Sequence, residues 1–166
     1  MTRICMACAI ILCIAVSARS QKIGHVNYRM LIDSLDESKK INEQLNRYEM
    51  SLFTVGSRMD STFRVHLKKY QDAAASGTLT GQQRTQMESD LETEQTALNN
   101  YQQSAKESFQ KRQAELMQPF LKKVQIAISD FGTKQGYQAL LDSAGLIIFP
   151  DSEDLFVRLL AVLTTK

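Results

Sequence analysis

The sequence predicts an α+β protein that is predominantly α: a long antiparallel helical hairpin on a small β-strand oligomerisation body. Three observations predict it. Two long segments carry apolar residues at alternating four- and three-residue steps, the mark of helices that pack along one seam. A single stretch rich in Ala, Ser, Gly and Thr, residues 73–81, separates them, and residues of that kind interrupt helices and form loops. Short runs of β-branched and aliphatic residues stand near both ends of the chain, where they read as strands built to meet in one body.

The composition sets the class. The chain has 166 residues, 43% hydrophobic, with seven Gly, two Pro and no Trp. That length suits one domain, and that hydrophobic content excludes a disordered chain. Few aromatics and a middle rich in Gln, Ser, Lys and Glu favour long solvated helices over a thick core.

Residues 1–20 read as a secretory signal. Arg3 gives a positive start, Ile4 to Val16 is an apolar run, and Ala18 and Ser20 suit cleavage before Gln21. The run is short for a membrane span, which takes about 20 residues. Cys5, Cys8 and Cys13 all lie inside it, so the mature chain is expected to lack disulfide and thiolate chemistry. Removing Arg3 and Arg19 with the leader takes the formal charge from +2 to zero. A neutral mature chain gives no bulk attraction to nucleic acid.

Lys22 to Asn27 is the first expected strand. The first helix begins near Leu31 to Leu35 and runs to about Gln71, with Ile41, Leu45, Tyr48, Leu52, Val55 and Met59 as its seam. Thr80 and Gln83 make a T-x-x-Q capping box that opens a second helix to about Phe131. Its seam includes Met87, Leu91, Leu98, Ala105, Phe109, Leu116, Phe120 and Val124. Arms of about 40 residues at ~1.5 Å each reach roughly 60 Å. Residues 39–71 carry seven basic and three acidic side chains, and 82–118 four and six, so the facing charges favour alignment. Gly56 is either a tolerated irregularity of the first helix or a point where the outer arm flexes, and Pro119 is expected to kink the second helix.

Tyr137 to Leu141 and Leu146 to Phe149 are two further expected strands, with a turn at Asp142 to Gly145. A last helix is expected from Pro150 on, capped by Asp151 or Ser152. The expected division is a body of 21–34 and 120–166, with arms of about 35–119 tipped at 73–81. Three short strands, one helix and the roots of the arms are too little to bury Leu155 to Leu163 and the strands in one chain. The body is therefore expected to self-associate, through Ile23, Val26, Leu140, Leu141, Leu146 and Ile148.

The opening Lys22-Ile23-Gly24-His25-Val26-Asn27 after a leader, the long hairpin, and the closing Gly136 to Phe149 together resemble the Skp family of periplasmic chaperones, also called OmpH-like. The resemblance spans the mature chain. It implies a homotrimer with a small β body and helical tentacles around a cavity. It implies an ATP-independent periplasmic holdase that keeps unfolded outer-membrane proteins soluble before membrane assembly. Members are often markedly basic; the neutral charge here leaves lipid or lipopolysaccharide contact unassigned. Arg64, Lys68 and Lys69 still cluster near the tip.

A holdase needs exposed apolar groups on a solvated frame. Off the seam, Met50, Phe53, Val65 and Tyr101 are the candidate client-binding residues, whereas Met59 and Phe63 fall on it. No catalytic, cofactor-binding or metal-binding set is assigned. His25 and His66 stand far apart, no GxxxxGK loop is present, and no nucleophile or carboxylate pair sits on a concave scaffold. A structural coiled-coil adaptor or spacer of the envelope would suit the leader and hairpin equally, but leaves the terminal strands unexplained.

Overall fold

A computed structural model describes residues 22–165; the expected leader and its cysteines lie outside them. The elements in order are β1 (Ile23–Val26), α1 (Tyr28–Ser34), α2 (Asp36–Ala75), α3 (Gly81–Lys134), β2 (Ala139–Asp142) and α4 (Phe156–Thr164), with short 3-10 turns at Ser143–Gly145 and Asp151–Glu153. The chain is predominantly helical with one two-stranded sheet. The described residues divide into two packed units, one of 22–35 and 122–165, the other Asp36–Leu121.

In the unit of the chain ends, β1 pairs with β2 in parallel, from Ile23 opposite Ala139 to Val26 opposite Asp142. Asn27 stops β1 because its side chain turns to cap α1, accepting from Met30 N at 2.9 Å. Asp142 ends β2 in the same way, accepting from Ala144 N at 3.1 Å. It also accepts from Tyr28 N at 3.3 Å, which ties the two strand ends together.

The core of this unit is Val26, Leu31, Phe131, Leu155 and Leu159, with Ile128, Tyr137, Leu140, Phe156, Leu160, Val162 and Leu163 packed against it. Leu159 is 0% exposed. Within Leu155 to Leu163, Leu155 and Leu159 are buried in one chain, whereas Phe156, Leu160, Val162 and Leu163 stay half-buried and Val157 is exposed. The last turns of α3, through Phe131 and Ile128, supply part of that cover. Gly24 lets β1 approach α4: a Cβ there would lie 2.5 Å from Leu155 Cδ1 and 3.0 Å from Tyr137 Cε1.

The helix end at Lys134 is closed by a Schellman motif. Gly136 takes φ +73. Tyr137 N donates to Gly132 O at 2.9 Å and Gly136 N to Thr133 O at 3.2 Å, and the Tyr137 ring stacks on Phe131 with centroids 6.4 Å apart. Gly136→Ala meets open space but forces a left-handed backbone on a residue with a Cβ. We expect a loss of about 1–2 kcal/mol in urea unfolding.

Three expectations are corrected. The first helix is two, because Leu35 leaves helical geometry at φ −78, ψ 134; its side chain is buried. Leu146 to Phe149 is not a strand: β-branched residues favour extended backbone, but a strand exists only beside a partner, and the sheet contains only β1 and β2. The last helix starts at Phe156, after a 3-10 turn over the expected caps. Asp154 accepts from Phe156 N at 2.9 Å.

Candidate functional site

The second unit, Asp36–Leu121, is an antiparallel hairpin of α2 and the first part of α3. Its cross-contacts fix the direction. Tyr101 reaches Leu52, Glu94 reaches His66 and Glu88 reaches Tyr70, so advance along one helix is retreat along the other. The loop between them closes as the spacing predicts. Thr80 N donates to Gln83 Oε1 at 2.9 Å and Gln83 N to Thr80 Oγ1 at 3.3 Å, a reciprocal capping box. Gly77 in the loop takes φ +66.

Along α2 the seam runs through buried Ile41 and Leu45 and half-buried Leu52, Gly56, Met59, Phe63 and Tyr70. Val55, expected on it, is 44% exposed. Gly56 holds the seam position instead, because the four-three step from Leu52 to Met59 passes through residue 56. A Cβ on Gly56 would lie 3.2 Å from Tyr101 Cε1. The residue admits the tyrosine ring between the helices, a packing reason for a glycine that reads in the sequence as an irregularity or a flexible point. Tyr101 then donates its hydroxyl to Leu52 O at 2.8 Å.

Two polar contacts cross the outer part of the hairpin. His66 Nδ1 and Glu94 Oε1 lie 2.6 Å apart, and Glu94 stands at the seam step between Leu91 and Leu98. Tyr70 donates to Glu88 Oε1, a hydrogen bond that raises the tyrosine pKa above its usual 10.0. His66 is thus an interhelical partner whose side chain remains 50% exposed. Near the tip, Arg64 pairs with Asp60 at 2.7 Å and Lys68 with Asp72 at 3.0 Å, so local acids answer part of the basic cluster.

Beside the seam lies an open groove of about 770 Å³. Leu52, Phe53, Gly56, Tyr101, Ala105 and Phe109 give it apolar walls; Glu49, Asp60, Lys106 and several glutamines surround them. Phe53 is 68% exposed. Of the four client-binding candidates, Phe53 and Tyr101 meet in this groove, although Tyr101 is half-buried and its hydroxyl is already bonded. Met50 and Val65 lie outside it and are both exposed. At about 100° per residue, Met50, Phe53 and Val65 fall within an arc of about 120° on α2, with Met50 and Val65 turned away from the seam.

The candidates on the unit of the chain ends separate by burial. Val26 is core and Leu140 packs against it. Leu146 is half-buried, and Ile23, Leu141 and Ile148 are exposed. Ile147, 97% exposed, was missed, although it sits in the same apolar run as Ile148. His25 is buried inside this unit and bonded to Pro150 O. Among the described residues, no group of three His, Cys, Asp or Glu could hold a metal ion. No helix there is long and apolar enough to cross a membrane.

Comparison with known proteins gives a concordant result. The model of the family described as "Outer membrane protein (OmpH-like)" matches residues 22–163. A protein named Chaperone protein Skp from Yersinia enterocolitica is 25% identical over 141 residues, covering 85% of each chain. Another of that name, from Pectobacterium atrosepticum, is 22% identical over 147 residues, covering 87% of this chain and 88% of its own. A crystal structure described as an OmpH-like outer membrane chaperone, from Caulobacter crescentus, superposes with a TM-score of 0.73 at 12% identity. It covers 86% of this chain and 83% of its own, and so shares the fold. With the family match spanning nearly all the described residues, the chain belongs to the OmpH-like outer membrane protein family.

Proposed function

We propose that this chain is a non-enzymatic, ATP-independent holdase of the periplasm that keeps unfolded outer-membrane proteins from aggregating. The observation that carries the reading is the exposed apolar arc Met50, Phe53 and Val65, with the groove that Phe53 enters, on a hairpin whose exposed face is otherwise, Val55 apart, mainly polar. Exposed apolar surface rimmed by polar residues marks a binding surface. Flexible Met and a rigid aromatic together suit a varied, extended partner. Two relatives named Skp chaperones support the same assignment.

Residues 35–119 act as the client-holding arm in this reading, and 21–34 with 120–166 as the body. The mature chain starts after cleavage near Ser20 and Gln21. It works as a homotrimer, joined through exposed Ile23, Leu141 and Ile148 and half-buried Leu146, so that several hairpins hold one client. Each contact is weak and the sum is sufficient.

The test is dilution of a urea-unfolded outer-membrane β-barrel protein into buffer holding the mature chain and no nucleotide. Light scattering should stay low once one trimer per client is present. Undiminished scattering at that ratio would sink the holdase reading and leave a structural spacer of the envelope.

A further inference from the structure

The stretch Leu146–Pro150 is a strap without a ladder. Leu146 and Pro150 are both extended, at φ −100, ψ 137 and φ −79, ψ 130. Between them, the backbone of Ile147, Ile148 and Phe149 makes no backbone hydrogen bond to any described residue. Ile147 and Ile148 are 97% and 89% exposed.

His25 fastens the far end of this strap to β1. Its Nε2–H donates to Pro150 O at 2.9 Å, and its ring lies 4.3 Å from the Phe149 ring, tilted by 51°. A carbonyl only accepts, so Nε2 carries a hydrogen. Nδ1 is buried with no partner among the described residues. The other bond to Pro150 O comes from Glu153 N at 3.1 Å; it shapes the following turn and does not reach β1.

We propose that His25 is the positioning residue of a docking edge: it holds the strap in one extended shape for strand pairing with a second copy of this chain. The inference rests on the self-assembly described above and names the residue that prepares its interface. An extended, unpaired backbone carrying apolar side chains is a template for another strand. Among the described residues β2 has β1 as its only strand neighbour, so one copy offers both an edge to give and an edge to receive. Unlike edges that pair head to tail close into rings. A strap already ordered loses less freedom on docking than a loose one, which strengthens association.

Three variants of the mature protein separate the parts of the latch. His25→Phe keeps a ring and removes the donor. His25→Gln keeps a donor and removes the ring. His25→Ala removes both. Sedimentation across a concentration series reads assembly, and amide exchange of β1 and β2 reads whether the body is folded. We expect His25→Ala to raise the concentration for half-assembly tenfold or more, with His25→Phe and His25→Gln in between and β1–β2 exchange as in the wild type. Wild-type assembly by His25→Ala would overturn the latch. So would loss of β1–β2 protection in step with loss of assembly in all three variants, since that marks a purely structural histidine. A wild-type protein that stays monomeric at every concentration would instead overturn the self-assembly reading, before any variant is compared.

Discussion

Leu159→Ala is expected to destabilise the folded chain by about 2–5 kcal/mol, a large part of the 5–15 kcal/mol typical of a domain. Leu159 is fully buried among Val26, Leu31, Phe131 and Leu155, which come from four different stretches of the sequence. Truncation removes apolar contact and leaves a cavity that such a core closes only in part. The comparison within one helix is Val157→Ala. Val157 is exposed, so its loss should stay within about 0.5 kcal/mol. Urea unfolding at one fixed protein concentration measures both, because assembly shifts apparent stability. Equal costs at the two positions would contradict the core described above. Gly24→Val approaches the same core from the other side and should also destabilise, since Leu155 would have to move.

Met50→Gln, Phe53→Gln and Val65→Gln combined should leave the hairpin folded and remove most of its capacity to keep an unfolded client in solution. All three side chains are exposed, and Gln is a good helix former, so each change costs the fold little. Each apolar side chain is worth roughly 1.5–3 kcal/mol when fully covered, and 1.4 kcal/mol is tenfold in affinity. Partial coverage by a mobile client lowers these figures. The triple variant should still need about tenfold more protein for half-suppression of light scattering. Single variants should shift it by only about twofold, because the contact is spread over several hairpins. A triple variant that suppresses as well as the wild type would remove the arc from the mechanism.

Much of this architecture was legible in the residues. The T-x-x-Q pair announced the start of the second long helix and forms the reciprocal bonds it implies. The heptad steps located the hairpin, because the spacing that makes a seam is local and repeats. What escaped was set by partners far away in sequence. Gly56 holds a seam position because Tyr101 needs its space, and no local pattern states that. Glu94 sits on the seam because His66 faces it. Leu146 to Phe149 has the composition of a strand but no strand beside it in the sheet. Leu155 and Leu159 pack with Val26, Leu31 and Phe131, partners from distant stretches that the apolar run itself does not name. At the break Leu35 turns extended while its N donates to Ile32 O at 3.2 Å, a local bend that the apolar spacing of Leu31 and Leu35 hides.

The central claim is that the face of the hairpin around Phe53 touches unfolded protein. A photoreactive amino acid at position 53 of the full mature chain tests it most directly. Irradiated with an outer-membrane barrel protein freshly diluted from urea, it should cross-link to that protein, and not to the same protein already folded in detergent. No cross-link to the unfolded form, or equal cross-linking to both, would contradict the account.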